Sequence, residues 1–237
     1  MPGVIDLYRV RGPLFAGIEG RRDRAVYSII GAPLDATSSY RKGQRWAPRY
    51  IREASENIES NGYYVRGPVI EDLAMYDEGD IALPHGDARE AVDRIERVIG
   101  EVAGEDRVPV VLGGEHTITL GVLRGLMAAG YSPCVLVLDA HLDLRNDYMG
   151  EEVSHATVFR RVLEQVHPDK IVYVGVRAFS EEEAEIAESR GEVEVLYSWD
   201  VERMGPINAG TRARLVLSGC RHIYISIDMD VLSLIHI

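Results

Sequence analysis

The chain has 237 residues, 46% of them apolar and 27% charged, which is enough to bury a core without disulfide or metal staples. Its 26 basic and 38 acidic side chains leave a formal charge of −12, which argues against an electrostatic nucleic-acid or anionic-membrane surface. No apolar run approaches the ~18 residues of a membrane span, and Met1-Pro2-Gly3-Val4-Ile5-Asp6 carries no secretory signal, so the expected compartment is the cytoplasm. Cys134 and Cys220 are too few for a disulfide framework. Cys134 is expected to pack as a small hydrophobe in a reducing environment. Lysine occurs only at Lys42 and Lys170, and the arginine bias is read as genome composition rather than as a binding signal.

In chain order, short apolar runs rich in β-branched residues predict strands at Val26 to Ile30, Val108 to Leu112, Cys134 to Leu138, Ile171 to Val176, Val193 to Tyr197 and Ile223 to Ile227. Helical segments lie between them: Ala47 to Glu59 with Pro48 in its first turn, Asp87 to Val102, and Thr119 to Ala129 closed by Gly130. Continuous apolar strands alternating with helices predict a parallel sheet covered on both faces, in a single α/β domain over residues 1–237. Ligand sites of such sheets lie beyond the carboxyl ends of the strands. There the sequence places Gly113-Gly114-Glu115-His116, Asp139-Ala140-His141-Leu142-Asp143 and Asp228-Met229-Asp230.

Alternation along extended chain would let Asp139, His141 and Asp143 point the same way if the extension persists beyond the strand, and likewise Asp228 and Asp230, so that one ligand set can converge. Together with His116 these groups exceed a tetrahedral zinc site and suit two divalent ions. Oxygen-rich ligation with few imidazoles favours manganese. Taken singly, each aspartate could instead cap a turn or helix. His85, His167 and His222 lack such neighbours and are read as ordinary surface or packing residues. The run Glu181-Glu182-Glu183 is read as the solvated first turn of a helix capped by Ser180.

The three strand-end segments resemble the metal motifs of the ureohydrolase family, which includes arginase and agmatinase. The similarity runs from near Val26 to about Leu232. It includes Ser39-Tyr40-Arg41-Lys42-Gly43, Ala47-Pro48-Arg49-Tyr50-Ile51-Arg52 and Asp77-Glu78-Gly79-Asp80-Ile81, and the pattern is most like agmatinase. The resemblance implies an arginase-like three-layer α/β/α fold with a central, mainly parallel sheet, and two manganese ions per subunit. His116 and Asp143 would hold one ion and His141 and Asp230 the other, with Asp139 and Asp228 bridging and a hydroxide between the ions attacking the guanidinium carbon. It further implies a small cationic guanidino substrate, agmatine giving putrescine and urea in polyamine biosynthesis, and a homo-oligomer, trimer or hexamer. Neither nucleic acid nor membrane is an expected partner.

His155, in Ser154-His155-Ala156-Thr157, matches the family histidine beside the reacting group. Proton transfer or polar orientation would be its role, and a plain helix-start residue is the alternative. The segment Arg145 to Glu152, with Asp147, Glu151 and Glu152, would favour a second cationic group over a carboxylate, or would simply be a solvated acidic loop. Guanidinobutyrate, aminopropylagmatine and arginine remain alternative substrates, and a non-catalytic metal-binding subunit is an alternative function. After Asp230-Val231-Leu232 the family pattern continues with further elements, including a carboxylate that grips the guanidinium, whereas here residues 233–237 read Ser233-Leu234-Ile235-His236-Ile237. The expectation is a fold incomplete at the C-terminus, a non-native tail over 233–237, and a chain that is inactive as written.

Overall fold

The strand and helix patterns are realised in a computed structural model that describes residues 3–59 and 73–232. The expected tail at 233–237, with His236, lies outside the described residues. The backbone forms two compact units, Met1–Ala129 and Gly130–Ile237. No helix among the described residues is long and apolar enough to cross a membrane.

In the first unit β1 (Arg9–Val10), β2 (Tyr27–Ala32), β3 (Met75–Ile81) and β4 (Val108–Gly113) form a sheet of order β1-β3-β2-β4. β2 runs parallel to both of its neighbours, and β1 is antiparallel to β3. Among the described residues its α-helices are α1 (Val4–Tyr8), α2 (Ala47–Ser55), α3 (Ala88–Gly104) and α4 (Ile118–Ala128). α2 begins with Pro48 in its first turn, as predicted, but ends at Ser55 instead of Glu59. The Asp87 side chain caps α3 by accepting the Glu90 N–H at 2.9 Å, and the helix buries Val92, Ile95, Val98, Ile99 and Val102. α4 can lie close against α3 because Gly121 has no side chain; a Cβ there would meet the Val92 carbonyl oxygen at 2.7 Å.

β3 was legible as a motif but not as a strand, since Met-Tyr-Asp-Glu-Gly-Asp-Ile has no apolar run. Arginines make it possible. Buried Arg52 on α2 donates from Nε and Nη2 to Asp77 at 2.8 and 2.9 Å, and from Nη1 to Asp80 at 2.6 Å. Buried Glu78 accepts from Arg107 at 2.6 Å and from Arg22 at 2.9 Å, with Arg9 at 3.7 Å. Part of the arginine content therefore neutralises carboxylates that the sheet takes out of water.

In the second unit β5 (Cys134–Leu138), β6 (Ile171–Val176), β7 (Val193–Tyr197) and β8 (Ile223–Ile227) match their predicted limits and form an all-parallel sheet of order β7-β6-β5-β8. Its helices are α5 (Val158–Gln165), α6 (Glu181–Ser189), α7 (Ser198–Met204) and α8 (Pro206–Val216). Ala209 and Ala213 of α8, with Leu217, pack on Cys134, Val172 and Leu196. One expectation fails here: Cys134 is not a free thiol but is disulfide-bonded to Cys220, and the two Cα atoms are 6.0 Å apart. The 86 residues between the cysteines hide the pair in sequence, yet β8 lies beside β5 and brings Cys220 to the start of β5. The sequence argument for a reducing compartment is thereby lost.

Candidate metal centre

The chain of the second unit passes from β5 outward to β6 and β7, then returns to place β8 on the other side of β5. The strand order thus reverses between β5 and β8, and a crevice for ligands opens at the carboxyl ends of two strands that diverge in this way. Leu138 pairs with Ile227 in register, so Asp139 and Asp228 leave the sheet at the same level. The Asp228 N–H donates to the Leu138 carbonyl at 2.9 Å, and the Asp139 N–H donates to Val174 at 3.2 Å.

Beyond Leu138 the extended backbone does not continue, so strict alternation is not what orients the ligands. Asp139 is fully buried, and its Oδ1 accepts the His141 N–H at 2.8 Å. Met229–Val231 form a short 3-10 turn after β8, capped by Asp228 Oδ1 on the Asp230 N–H at 3.0 Å. The turn carries Asp230 back toward β5: its Oδ1 accepts the Ala140 N–H at 3.0 Å, and its Oδ2 lies 2.9 Å from His141 Nδ1. His141 Nδ1 is 3.7 Å from Asp139 Oδ1. Asp139, His141 and Asp230 therefore each offer a ligand atom, all within 4.8 Å of one another.

The nearby carboxylates of Asp139 and Asp230 raise the His141 imidazole from 6.5 to about 10, against the opposing effect of desolvation and helped by the charge of Asp143. Two carboxylates and one imidazole at this spacing fit a hard or borderline divalent ion, and the oxygen-rich set suits manganese. Asp228 takes the turn-capping role that sequence reasoning had set against ligation, and it is not part of this triad. Asp143 is nearly buried, with φ at +52°.

In the first unit the strand order likewise reverses, between β2 and β4, which pair from Tyr27/Val108 to Ala32/Gly113. Gly114 and Glu115 donate their N–H groups to Ala32 and Leu34 at 3.0 and 2.7 Å. Any side chain at Gly114 would collide with the Leu34 backbone, since a Cβ would lie 1.9 Å from its carbonyl oxygen. The buried Glu115 carboxylate accepts from the Thr37 N–H at 2.9 Å, the Thr37 hydroxyl at 2.7 Å, Ser38 at 3.1 Å and Thr117 at 2.9 Å. His116 follows it, buried at the carboxyl end of β4.

The segment after Asp143 forms a turn on which Asp147, Glu151 and Glu152 are all exposed. Tyr148 and Glu151 exchange backbone hydrogen bonds of 3.0 Å, and Asp147 accepts the Gly150 N–H at 3.0 Å. The Arg145 guanidinium sits over the Tyr148 ring at 5.5 Å, and that ring meets His155 edge-on at 5.5 Å. His155 opens a 3-10 turn that begins after Ser154, so it has the helix-start position and also an aromatic neighbour.

Of the run Glu181-Glu182-Glu183, the first two are exposed as expected but Glu183 is not; it is 3% exposed. Its Oε2 accepts from Ser180 N and Oγ at 2.8 Å each, and its Oε1 accepts the Leu144 N–H at 3.1 Å. The Ser-x-x-Glu spacing signalled a capping box, but not that the Glu would turn inward to the segment carrying Asp143. Among the other histidines, His85 meets Arg45 at 3.3 Å and His222 meets the Tyr131 ring edge-on at 5.1 Å.

The sequence profile described as the arginase family matches residues 25–236. An agmatinase of Bacillus cereus is 35% identical over 208 residues, covering 88% of this chain and 69% of that protein. The N(1)-aminopropylagmatine ureohydrolase of Thermococcus kodakarensis is 36% identical over 215 residues, covering 90% and 69%. The crystal structure of the agmatine ureohydrolase of Thermoplasma volcanium superposes with a TM-score of 0.79 at 34% identity, covering 93% of this chain and 72% of that one.

Proposed function

The chain belongs to the arginase family and is a ureohydrolase with the arginase-like α/β fold, and from that premise we propose that it hydrolyses agmatine to putrescine and urea at a pair of manganese ions. The observation that carries this reading is the convergence of Asp139, His141 and Asp230 at the carboxyl ends of β5 and β8, with all ligand atoms within 4.8 Å of one another. Asp139, His141 and Asp230, joined through the sequence motifs by His116, Asp143 and Asp228, are the residues proposed to hold the metal. When bound, a pair of divalent ions supplies the Lewis acidity that makes water nucleophilic near neutral pH.

The protein's own groups orient and protonate. Asp230 holds both the Ala140 N–H and the His141 ring, so the ligand side chains are placed before a substrate arrives. His155, steadied by Tyr148, is proposed to deliver a proton to the departing amine. Carboxylates at Glu151 and Glu152 disfavour a substrate carboxylate through charge, which supports agmatine over arginine. Asp147, whose Oδ1 accepts the Gly150 N–H in its turn, adds a third negative charge. A homo-oligomeric, cytoplasmic enzyme of polyamine biosynthesis is the corresponding setting.

The test is urea release by the manganese-loaded protein on agmatine, arginine, guanidinobutyrate and N(1)-aminopropylagmatine. Agmatine should exceed arginine in kcat/KM by at least about tenfold, the discrimination of about 1.4 kcal/mol that one unfavourable charge contact readily supplies. Equal efficiency on arginine would overturn the substrate assignment. Bound manganese with no urea from any of them would overturn the enzymatic reading.

A further inference from the structure

We propose that Tyr173 and Glu183 are positioning residues which fix the backbone on either side of Asp143 and so set the affinity for the metal that Asp143 is proposed to help hold; this rests on the manganese reading above. Asp143 has φ at +52°, a region that non-glycine residues adopt at a cost and keep only where surrounding groups dictate it. Those groups are in place at each peptide. On one side the Leu142 carbonyl accepts the Tyr173 hydroxyl at 3.0 Å. On the other the Leu144 N–H donates to Glu183 Oε1 at 3.1 Å. Between them the Asp143 carbonyl accepts the Phe159 N–H at 3.0 Å, and the Phe159 ring packs edge-on against Tyr173 with centroids 5.3 Å apart.

Neither side chain is explained by packing alone. Tyr173 is fully buried on β6, and burial, with the charges of Asp143, Asp139 and Glu183, pushes its hydroxyl well above the usual range, so it remains a donor. A buried carboxylate such as Glu183 is costly unless it is hydrogen-bonded. Its partners come from two places: Ser180 at the start of its own helix and Leu144 in the ligand segment. Arg145 Nε, 3.6 Å away, adds a cation from that same segment. A rigid strand and a helix terminus thus hold a strained turn by its two flanking peptides. Removal of groups that orient metal ligands typically weakens metal binding about 10–100-fold.

The experiment compares Tyr173→Phe, Glu183→Ala and Glu183→Gln with the parent. The control is Leu217→Ala, which thins the apolar cluster around Cys134 without touching the ligand segment. Manganese dissociation constants are read from the electron paramagnetic resonance signal of free Mn2+, at a temperature where circular dichroism shows every variant folded. Tyr173→Phe and Glu183→Ala should weaken binding about 10–100-fold. Glu183→Gln, whose amide oxygen can still accept from Leu144, should recover most of the loss, and Leu217→Ala should lower the melting temperature with unchanged affinity. Parent-like affinity in both Tyr173→Phe and Glu183→Ala would overturn the proposal, as would an equal loss in Leu217→Ala.

Hydrogen exchange at the Leu144 amide separates this from the functional reading, because it needs no metal. Exchange should rise at least about tenfold in Glu183→Ala, as expected when a buried amide loses its acceptor, and unchanged exchange would overturn the positioning role even if the parent bound no manganese. Should Glu183→Ala fail to fold, parent-like affinity in Tyr173→Phe alone overturns the proposal, and a loss there with recovery in Glu183→Gln supports it.

Discussion

The two units repeat one topological device and use it for different ends. Each has a sheet whose strand order reverses, beside β2/β4 in the first and β5/β8 in the second, and each places acidic residues just past that point. In the first unit the Glu115 carboxylate is met by an N–H and three hydroxyls, so its lone pairs are occupied by neutral donors. In the second, the Asp139 and Asp230 carboxylates converge on one imidazole and hold it protonated, with a pKa of about 10. A carboxylate surrounded by fixed donors fastens loops. Carboxylates gathered around a histidine offer ligand atoms whose shared proton a metal ion would displace on binding.

Mutation of one carboxylate from each unit puts this contrast at risk most directly. Asp139→Asn should weaken manganese binding by more than about a hundredfold, beyond the range of an orienting group, read as the manganese dissociation constant. Glu115→Ala should act on stability instead, costing on the order of 3 kcal/mol as buried donors lose their acceptor, read as a fall in the urea midpoint. An Asp139→Asn protein that binds manganese normally, or a Glu115→Ala protein of parental stability, would erase the distinction.

A second expected effect lies wholly within the first unit, where carboxylates serve the fold. Arg52→Ala leaves Asp77 and Asp80 without their guanidinium, and breaking a buried pair from one side costs about 3–5 kcal/mol. The denaturation midpoint should fall accordingly, and a change of less than about 1 kcal/mol would mean that these carboxylates are hydrated rather than paired.

The smallest effect concerns Asp35, which accepts from Gly43 N at 3.0 Å and from Arg45 Nε at 2.7 Å. The Arg45 hydrogen bond holds its carboxyl below the usual value of 3.8, against the effect of burial. Because the folded value lies below the unfolded one, the pairing contributes stability above about pH 4 and loses it as pH falls through the folded value. Arg45→Ala should therefore be less stable than the parent at pH 6, by about 1 kcal/mol given its part-exposed guanidinium, and the gap should close toward pH 3. A pH-independent gap in paired urea titrations would contradict this.

How much was legible depended on whether a signal was local. β5 to β8 announced themselves by uninterrupted β-branched runs, and the acidic and histidine residues that follow marked the carboxyl rim. β3 was not legible as a strand because its carboxylates are tolerated only through Arg52, Arg107 and Arg22, which lie elsewhere in the sequence. The fate of Glu183 was hidden for a similar reason: its neighbours made it look like one more solvated acid, and its partner Leu144 is 39 residues away. The disulfide escaped notice because its halves meet only when β8 returns beside β5.

The α/β alternation, the strand ends at which chemistry is placed, and the residue types from which a metal site is assembled were all written in the chain, since periodicity and local composition act over a few residues at a time. Which of those residues converge was settled only by folding. The reversal of strand order after β7 sets Asp230 against His141, Asp228 Oδ1 caps the turn that carries Asp230, and the peptides flanking a left-handed Asp143 are hydrogen-bonded by groups from β6 and α6. These are distances between segments far apart in the chain, which close only when the sheet has formed and the carboxyl ends of its strands lie side by side.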